Sequence, residues 1–158
     1  MGWLVLLDAG PLGQAARRRG LHDVERCHLL IAEIQDGGST VAIPEISDYE
    51  VRRELLRLGG EGQKAIERLD RLGAALGLVP ITSGAMREAA RYWAEVRRRG
   101  QPTSDDRDLD ADTILAGIAS VAARDGDRVI IATGNQRHFD RFDGIEARSL
   151  EAIALERD

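Results

Sequence analysis

The 158 residues include one cysteine, one lysine, four prolines and only two each of tryptophan, tyrosine and phenylalanine. A lone Cys27 excludes an intramolecular disulfide and any zinc site built from several thiolates, and it favours a reducing, intracellular setting. Its neighbours in sequence register, Leu30, Ile31 and Ile34, mark it as a small residue on the apolar face of a helix. With aromatics at 4%, the core must be made mainly of Leu, Ile, Val and Ala. The single lysine, Lys64, removes two phosphate chemistries. No Gly-Lys-Ser/Thr of a P-loop exists, and a phosphoacceptor receiver domain lacks the lysine it needs late in the chain. Long apolar runs are missing too. The first, residues 3 to 7, is interrupted by Asp8 and has no basic leader, so neither a signal peptide nor a membrane span is expected, and the expected location is the cytoplasm. Positive charge is also in deficit. A net charge of -5 argues against a generic nucleic-acid binder. Arginine clusters at Arg17, Arg18, Arg19, at Arg52, Arg53, Arg57 and at Arg97, Arg98, Arg99 leave room for local binding, although helix ends also favour such runs.

What is present is a soluble globular composition, 43% hydrophobic and 31% charged, of a length that suits one domain over residues 1–158. Residues 3–7 read as a buried parallel strand, a continuous apolar run too short for a helix. Helices are expected near 11–18 and 23–36, a strand at 40–43, and helices at 47–58 and 62–76. A strand at 78–81 and a helix at 83–98, with Met86, Ala89, Ala90, Trp93 and Val96 on one face, come next. The polar stretch 100–110 reads as a loop. A helix over 111–124, a strand at 129–132, a short helix at 136–142 and a last strand at 145–148 complete the chain. This alternation implies an α/β fold, a three-layer αβα sandwich around a central, mostly parallel sheet.

Within that frame Asp8 ends the first strand, Glu50 lies in a helix, Asp112 opens another, and Asn135 follows the strand VIIA. Carboxyl ends of parallel strands converge on one crevice. Carboxylates gathered there repel one another unless a hard cation neutralises them, and Mg²⁺ or Mn²⁺ suits such an oxygen-rich set. Competing motifs fail on residue chemistry. DAGPLG puts Asp8 where a dinucleotide fingerprint needs its first glycine, so a carboxylate would face the pyrophosphate. LDADT lacks the Asp-x-Asp-x-Thr spacing of the haloacid dehalogenases.

The order of these residues, Asp8 at a strand end, Glu50 in ISDYEVRREL, Asp112 in LDADTILAGIA and then ATGNQRHF, resembles the PIN-domain ribonucleases, particularly the VapC-like toxins of toxin–antitoxin pairs. The likeness runs over nearly the whole chain. It implies Mg²⁺-dependent (or Mn²⁺-dependent) endonucleolytic cleavage of RNA to 5′-phosphate and 3′-hydroxyl ends. Asp8, Glu50 and Asp112 would be the core acids, with Asn135 at the more variable fourth position and Asp110 as a further carboxylate acting through the metal's waters. It also implies a cognate antitoxin partner and a homodimer. One departure stands out: Ala9 and Gly10 follow Asp8 where many relatives place Thr or Ser, so Thr133 or a backbone group would have to substitute for the missing hydroxyl. Arg52, Arg53 and Arg137 are candidates for phosphate contacts, His138 for a surface or packing role, and the surfaces around Leu55, Leu58, Leu69 and Trp93 for protein contacts. Two other readings remain: a catalytically silent PIN-like module that binds RNA or protein, and a structure-specific DNA nuclease.

Overall fold

In the computed structural model, which describes residues 2–100 and 106–157, strand β1 (Leu4–Leu7) is the centre of a five-stranded sheet. Helices α1 (Ala9–Ala15) and α2 (His22–Asp36) lead to β2 (Thr40–Pro44), beside β1. Helix α3 (Glu45–Arg57), a 3₁₀ turn (Gly59–Gly62) and α4 (Gln63–Leu76) lead to the short edge strand β3 (Leu78–Val79). The chain then crosses through α5 (Ser83–Arg98) and α6 (Asp106–Ala123) to β4 (Val129–Ala132), on the other side of β1. Helix α7 (Gln136–Phe139), strand β5 (Glu146–Arg148) and α8 (Leu150–Arg157) close the described chain. The strand order is β3-β2-β1-β4-β5 and every pairing is parallel.

The continuous apolar strands follow from cover on both faces. Successive side chains of β1 point to opposite sides. Val5 and Leu7 join Leu30, Ile34, Leu69 and Ile153 in one core, whereas Leu6 joins Tyr92, Leu115, Ile118 and Phe139 in the other. Burying each such side chain contributes roughly 1.5–3 kcal/mol, which fixes both register and face. In the second layer α5 and α6 pack closely through small residues. A Cβ at Gly117 would stand 2.2 Å from the Ala85 carbonyl oxygen, so only glycine permits this approach.

Sequence and structure part at several places. Residues 106–110 are helical, not loop, and Asp112 therefore lies inside α6 instead of opening it; residues 101–105 lie outside the described residues. Acids are stabilised in a first helical turn, and Leu109, 1% exposed, anchors the inner face, so the polar composition belongs to a helix with one buried side. Helix α8 was not expected from the sequence. Leu150, Ile153 and Ala154 pack on the α2 side of the sheet, and Ser149 Oγ accepts from Ala152 N at 3.1 Å as a cap. Leu69, expected to take part in an exposed face, is fully buried, while Leu58, Met86 and Trp93 are exposed.

Candidate active site

Strand β1 continues into the β2 side of the sheet, and β4 arrives on its other flank, so the carboxyl end of β1 is a topological switch point. Such a point leaves a crevice that helices do not fill. Asp8 is the first residue beyond β1. Its backbone N–H donates to the Ala132 carbonyl at 2.9 Å, which holds it to the end of β4. Its side chain caps α1, Oδ1 accepting from Ala9 N at 2.8 Å, while Oδ2 accepts from Thr133 Oγ1 at 2.7 Å. Thr133 is 1% exposed, and its hydroxyl also accepts from Asn135 N at 2.9 Å. One buried hydroxyl thus ties Asp8 to the turn that carries Asn135. Ala9 and Gly10 carry no hydroxyl beside Asp8, and the one that meets its carboxylate is that of Thr133, the first residue past β4.

Glu50 sits midway along α3, partly buried, with Arg53 Nη2 4.0 Å from its Oε2. Burial, then the charge of Asp8, and further the charges of Asp112 and Asp108, push its carboxyl up to about 7 against the opposing pull of Arg53. Asp112 on α6 behaves alike. Burial and then the charge of Asp8 push it up to about 7, opposed by Arg141 and reinforced by Asp108. These mutual influences place Asp8, Glu50, Asp112 and Asp108 in one electrostatic neighbourhood. Ionising all of them together is costly, because like charges in a partly desolvated pocket repel.

Asp110 is not brought there. Two residues from Asp112, it is about 200° around the helix, and it faces a recess lined by Met86, Trp93 and Ile114. Asp108, one turn before Asp112, is the other acid of α6 whose charge reaches both Glu50 and Asp112. Asn135 is exposed at the start of α7, its side chain making no capping bond, and it borders a 480 Å³ recess with Arg137 and His138. His138 departs from a merely surface or packing role: its Nδ1 lies 3.2 Å from Asp112 Oδ2. Arg141, which the sequence did not single out, donates from Nη2 to the same oxygen at 3.1 Å. Of the candidate phosphate contacts, Arg52 is already engaged by Asp48 and Asp70. Arg53 is 42% exposed and stacks over Tyr49, and it lines a groove of about 660 Å³ that reaches Glu50.

Could these residues hold a divalent ion? Among the described residues, no three His, Cys, Asp or Glu side chains are gathered closely enough to ligate one as they stand. The donor chemistry nevertheless fits. The candidate oxygens are all carboxylate, and burial first and the charge of Asp8 next raise the proton affinity of Glu50 and Asp112, a cost that a hard dication would relieve. Side-chain rotation would have to complete the ligand set.

The fold is a PIN-like α/β sandwich, with a five-stranded all-parallel sheet covered by helices. The chain shares this fold with chains of known complexes. It matches DNA-bound VapBC from Salmonella typhimurium with a TM-score of 0.69 at 19% identity, over 95% of this chain and 99% of that one. VapBC2 from Rickettsia felis, bound to a DNA fragment from its promoter, gives 0.66 at 14% identity, over 92% and 98%. VapBC-5 from Mycobacterium tuberculosis, a member of the VapBC family of toxin–antitoxin systems, gives 0.57 at 19% identity, over 92% and 98%. No family model and no curated protein matches the sequence.

Proposed function

We propose that this chain is a Mg²⁺-dependent endoribonuclease, with Mn²⁺ able to replace Mg²⁺, and the toxin of a toxin–antitoxin pair. What supports this reading is that Asp8, just beyond the carboxyl end of β1, raises the proton affinity of both Glu50 and Asp112 by its charge, so the three acids share one electrostatic neighbourhood. Asp8 and Asp112 would hold the ion, with the charge of Asp108 adding to the attraction. A bound dication would polarise the phosphoryl oxygen and stabilise charge on the leaving 3′-oxygen. Glu50 accepts a proton from the attacking water as the water oxygen bonds to phosphorus. The phosphorus bond to the 3′-oxygen breaks and that oxygen takes a proton from solvent, leaving 5′-phosphate and 3′-hydroxyl ends. Thr133 holds Asp8 in place through its hydrogen bond. Arg53 and Arg137, both exposed, contact phosphates without reading bases.

The chain acts in the cytoplasm, where its RNA and an antitoxin meet it; among the described residues no helix is long and apolar enough to cross a membrane. The antitoxin and a second copy of the chain are its protein partners, and the exposed Leu58, Met86 and Trp93 are candidates for those contacts. Support for the pairing comes from shared fold with the VapBC chains. Cleavage of single-stranded RNA by the purified protein should require Mg²⁺, stop in EDTA and stop in Asp8→Asn. Equal cleavage in EDTA would end the proposal, and preference for DNA flaps would replace it with a DNA nuclease. The ungathered ligand set favours one competing reading, a silent binding module, for which RNA binding would be indifferent to Mg²⁺ and the RNA left intact.

A further inference from the structure

Among the basic side chains beside the carboxylates, Arg141 is buried more deeply than Arg53 and His138. It follows α7 by two residues, its side chain is 16% exposed, and each of its contacts is internal. Nε donates to the His138 carbonyl at 2.7 Å, Nη2 donates to Asp112 Oδ2 at 3.1 Å, and the guanidinium carbon lies 5.3 Å from the centre of the Phe142 ring. Phe142 is itself 2% exposed, packed on Tyr92 and Phe139, so the platform under Arg141 is part of the core. Arg53 and Arg137 differ in being exposed, as a phosphate contact must be. Both nitrogen-bearing side chains that meet Asp112, those of Arg141 and His138, lie on the same oxygen. Among the described residues, Oδ1 of Asp112 accepts no hydrogen bond, and it is not among the sealed-off polar atoms.

This division of labour between the two oxygens is what an outer partner of a metal ligand needs, since holding one oxygen fixes the carboxylate plane and leaves the other for the ion. We infer that Arg141 is a positioning residue for Asp112, gripping Oδ2 so that Oδ1 remains the ligand atom. The inference rests on the metal-dependent reading above.

Charge and geometry make opposite demands at such a position. A guanidinium near a dication repels it, whereas a correctly held carboxylate attracts it more strongly. Lysine separates the two effects, because it keeps the charge but cannot reproduce the fork that spans the His138 carbonyl and Asp112. The test is Mn²⁺ binding, followed by the loss of the free-ion electron paramagnetic resonance signal, for the full chain and for Arg141→Lys and Arg141→Gln, with thermal melts of each. Arg141→Lys should bind Mn²⁺ roughly 10- to 100-fold more weakly, and Arg141→Gln should bind no more tightly than the parent. In RNA cleavage kcat should fall with KM unchanged, since Arg141 touches the ligand and not the RNA. A lowered melting temperature with unaltered Mn²⁺ affinity in Arg141→Lys would reduce Arg141 to a structural role. Tighter binding in Arg141→Gln would make it a rival cation. Either result overturns the inference, and if Arg141→Lys fails to fold, Arg141→Gln is judged by the same two criteria. Failure of the parent chain to bind Mn²⁺ at all would instead overturn the metal reading and the inference with it.

Discussion

Replacing Glu50 by Gln should make the metal-free protein more stable at alkaline pH, although it removes a residue proposed to be catalytic. Glu50 has its proton affinity raised from the ordinary 4.5 to about 7, by burial first and by the charge of Asp8 next. Because the folded state holds the proton more tightly than the unfolded chain, the stabilisation is complete below pH 4.5 and is lost as the pH rises through about 7. At about 1.4 kcal/mol for each tenfold change in proton affinity, the ionised carboxylate costs the fold roughly 3 kcal/mol as an upper bound. Gln has nearly the same shape and no charge to desolvate. Allowing for imperfect hydrogen bonding of the amide, a gain of about 1–2 kcal/mol is expected at pH 8.5, or roughly 2–8 °C in melting temperature for a chain of this size. Calorimetric melts in EDTA at pH 8.5 and pH 4.5 provide the assay. The gain should be present at the higher pH and vanish at the lower. Mg²⁺ should narrow it at pH 8.5 by stabilising the parent more than the variant. A variant less stable than the parent at pH 8.5, or a difference independent of pH, would refute the argument that an ionised Glu50 in this partly buried pocket costs the fold stability.

Other perturbations test separate parts of the structure. Thr133→Val keeps the shape of a buried side chain but strips Asp8 and Asn135 N of their shared partner, and urea unfolding should register a loss of about 1–3 kcal/mol; the same variant should weaken Mn²⁺ binding, and unchanged stability would deny the bond any weight. Gly117→Ala sets a methyl against the Ala85 carbonyl, so α5 and α6 must move apart at a cost of roughly 1–3 kcal/mol, measurable as a lower denaturation midpoint. Asp108→Asn should lower the apparent pKa values of Glu50 and Asp112, both of which its charge raises, whereas Asp110→Asn should leave them unmoved. Carboxyl carbon chemical shifts followed through a pH titration would distinguish the two, and equal effects would contradict the assignment of faces on α6.

The strands were legible because each central one is an uninterrupted apolar run buried on both faces, and the helices because their apolar residues recur at helical spacing. Asp8 could be placed at a strand end for the same reason. The start of α6 was not legible, since Asp106, Asp108 and Asp110 dominate its first turns and only Leu109 marks the buried side. Asp108 was passed over for the same reason: once the helix is known to begin at Asp106, the spacing of four between Asp108 and Asp112 puts those two on one face. Thr133 and Arg141 act through contacts that span 125 and 29 residues of sequence, to Asp8 and Asp112 respectively. No local pattern announces contacts of that kind; they follow from strand β4 lying beside β1 and from α7 closing over α6.

Anomalous diffraction from crystals soaked in Mn²⁺ bears most directly on the proposal that these acids form a metal centre. The structure and the chemistry argued from it predict one strong peak at the carboxyl end of β1, with oxygens of Asp8 and Asp112 at direct ligand distances on the order of 2.1 Å. Absence of a peak there, in crystals of protein that still cleaves RNA, would contradict it.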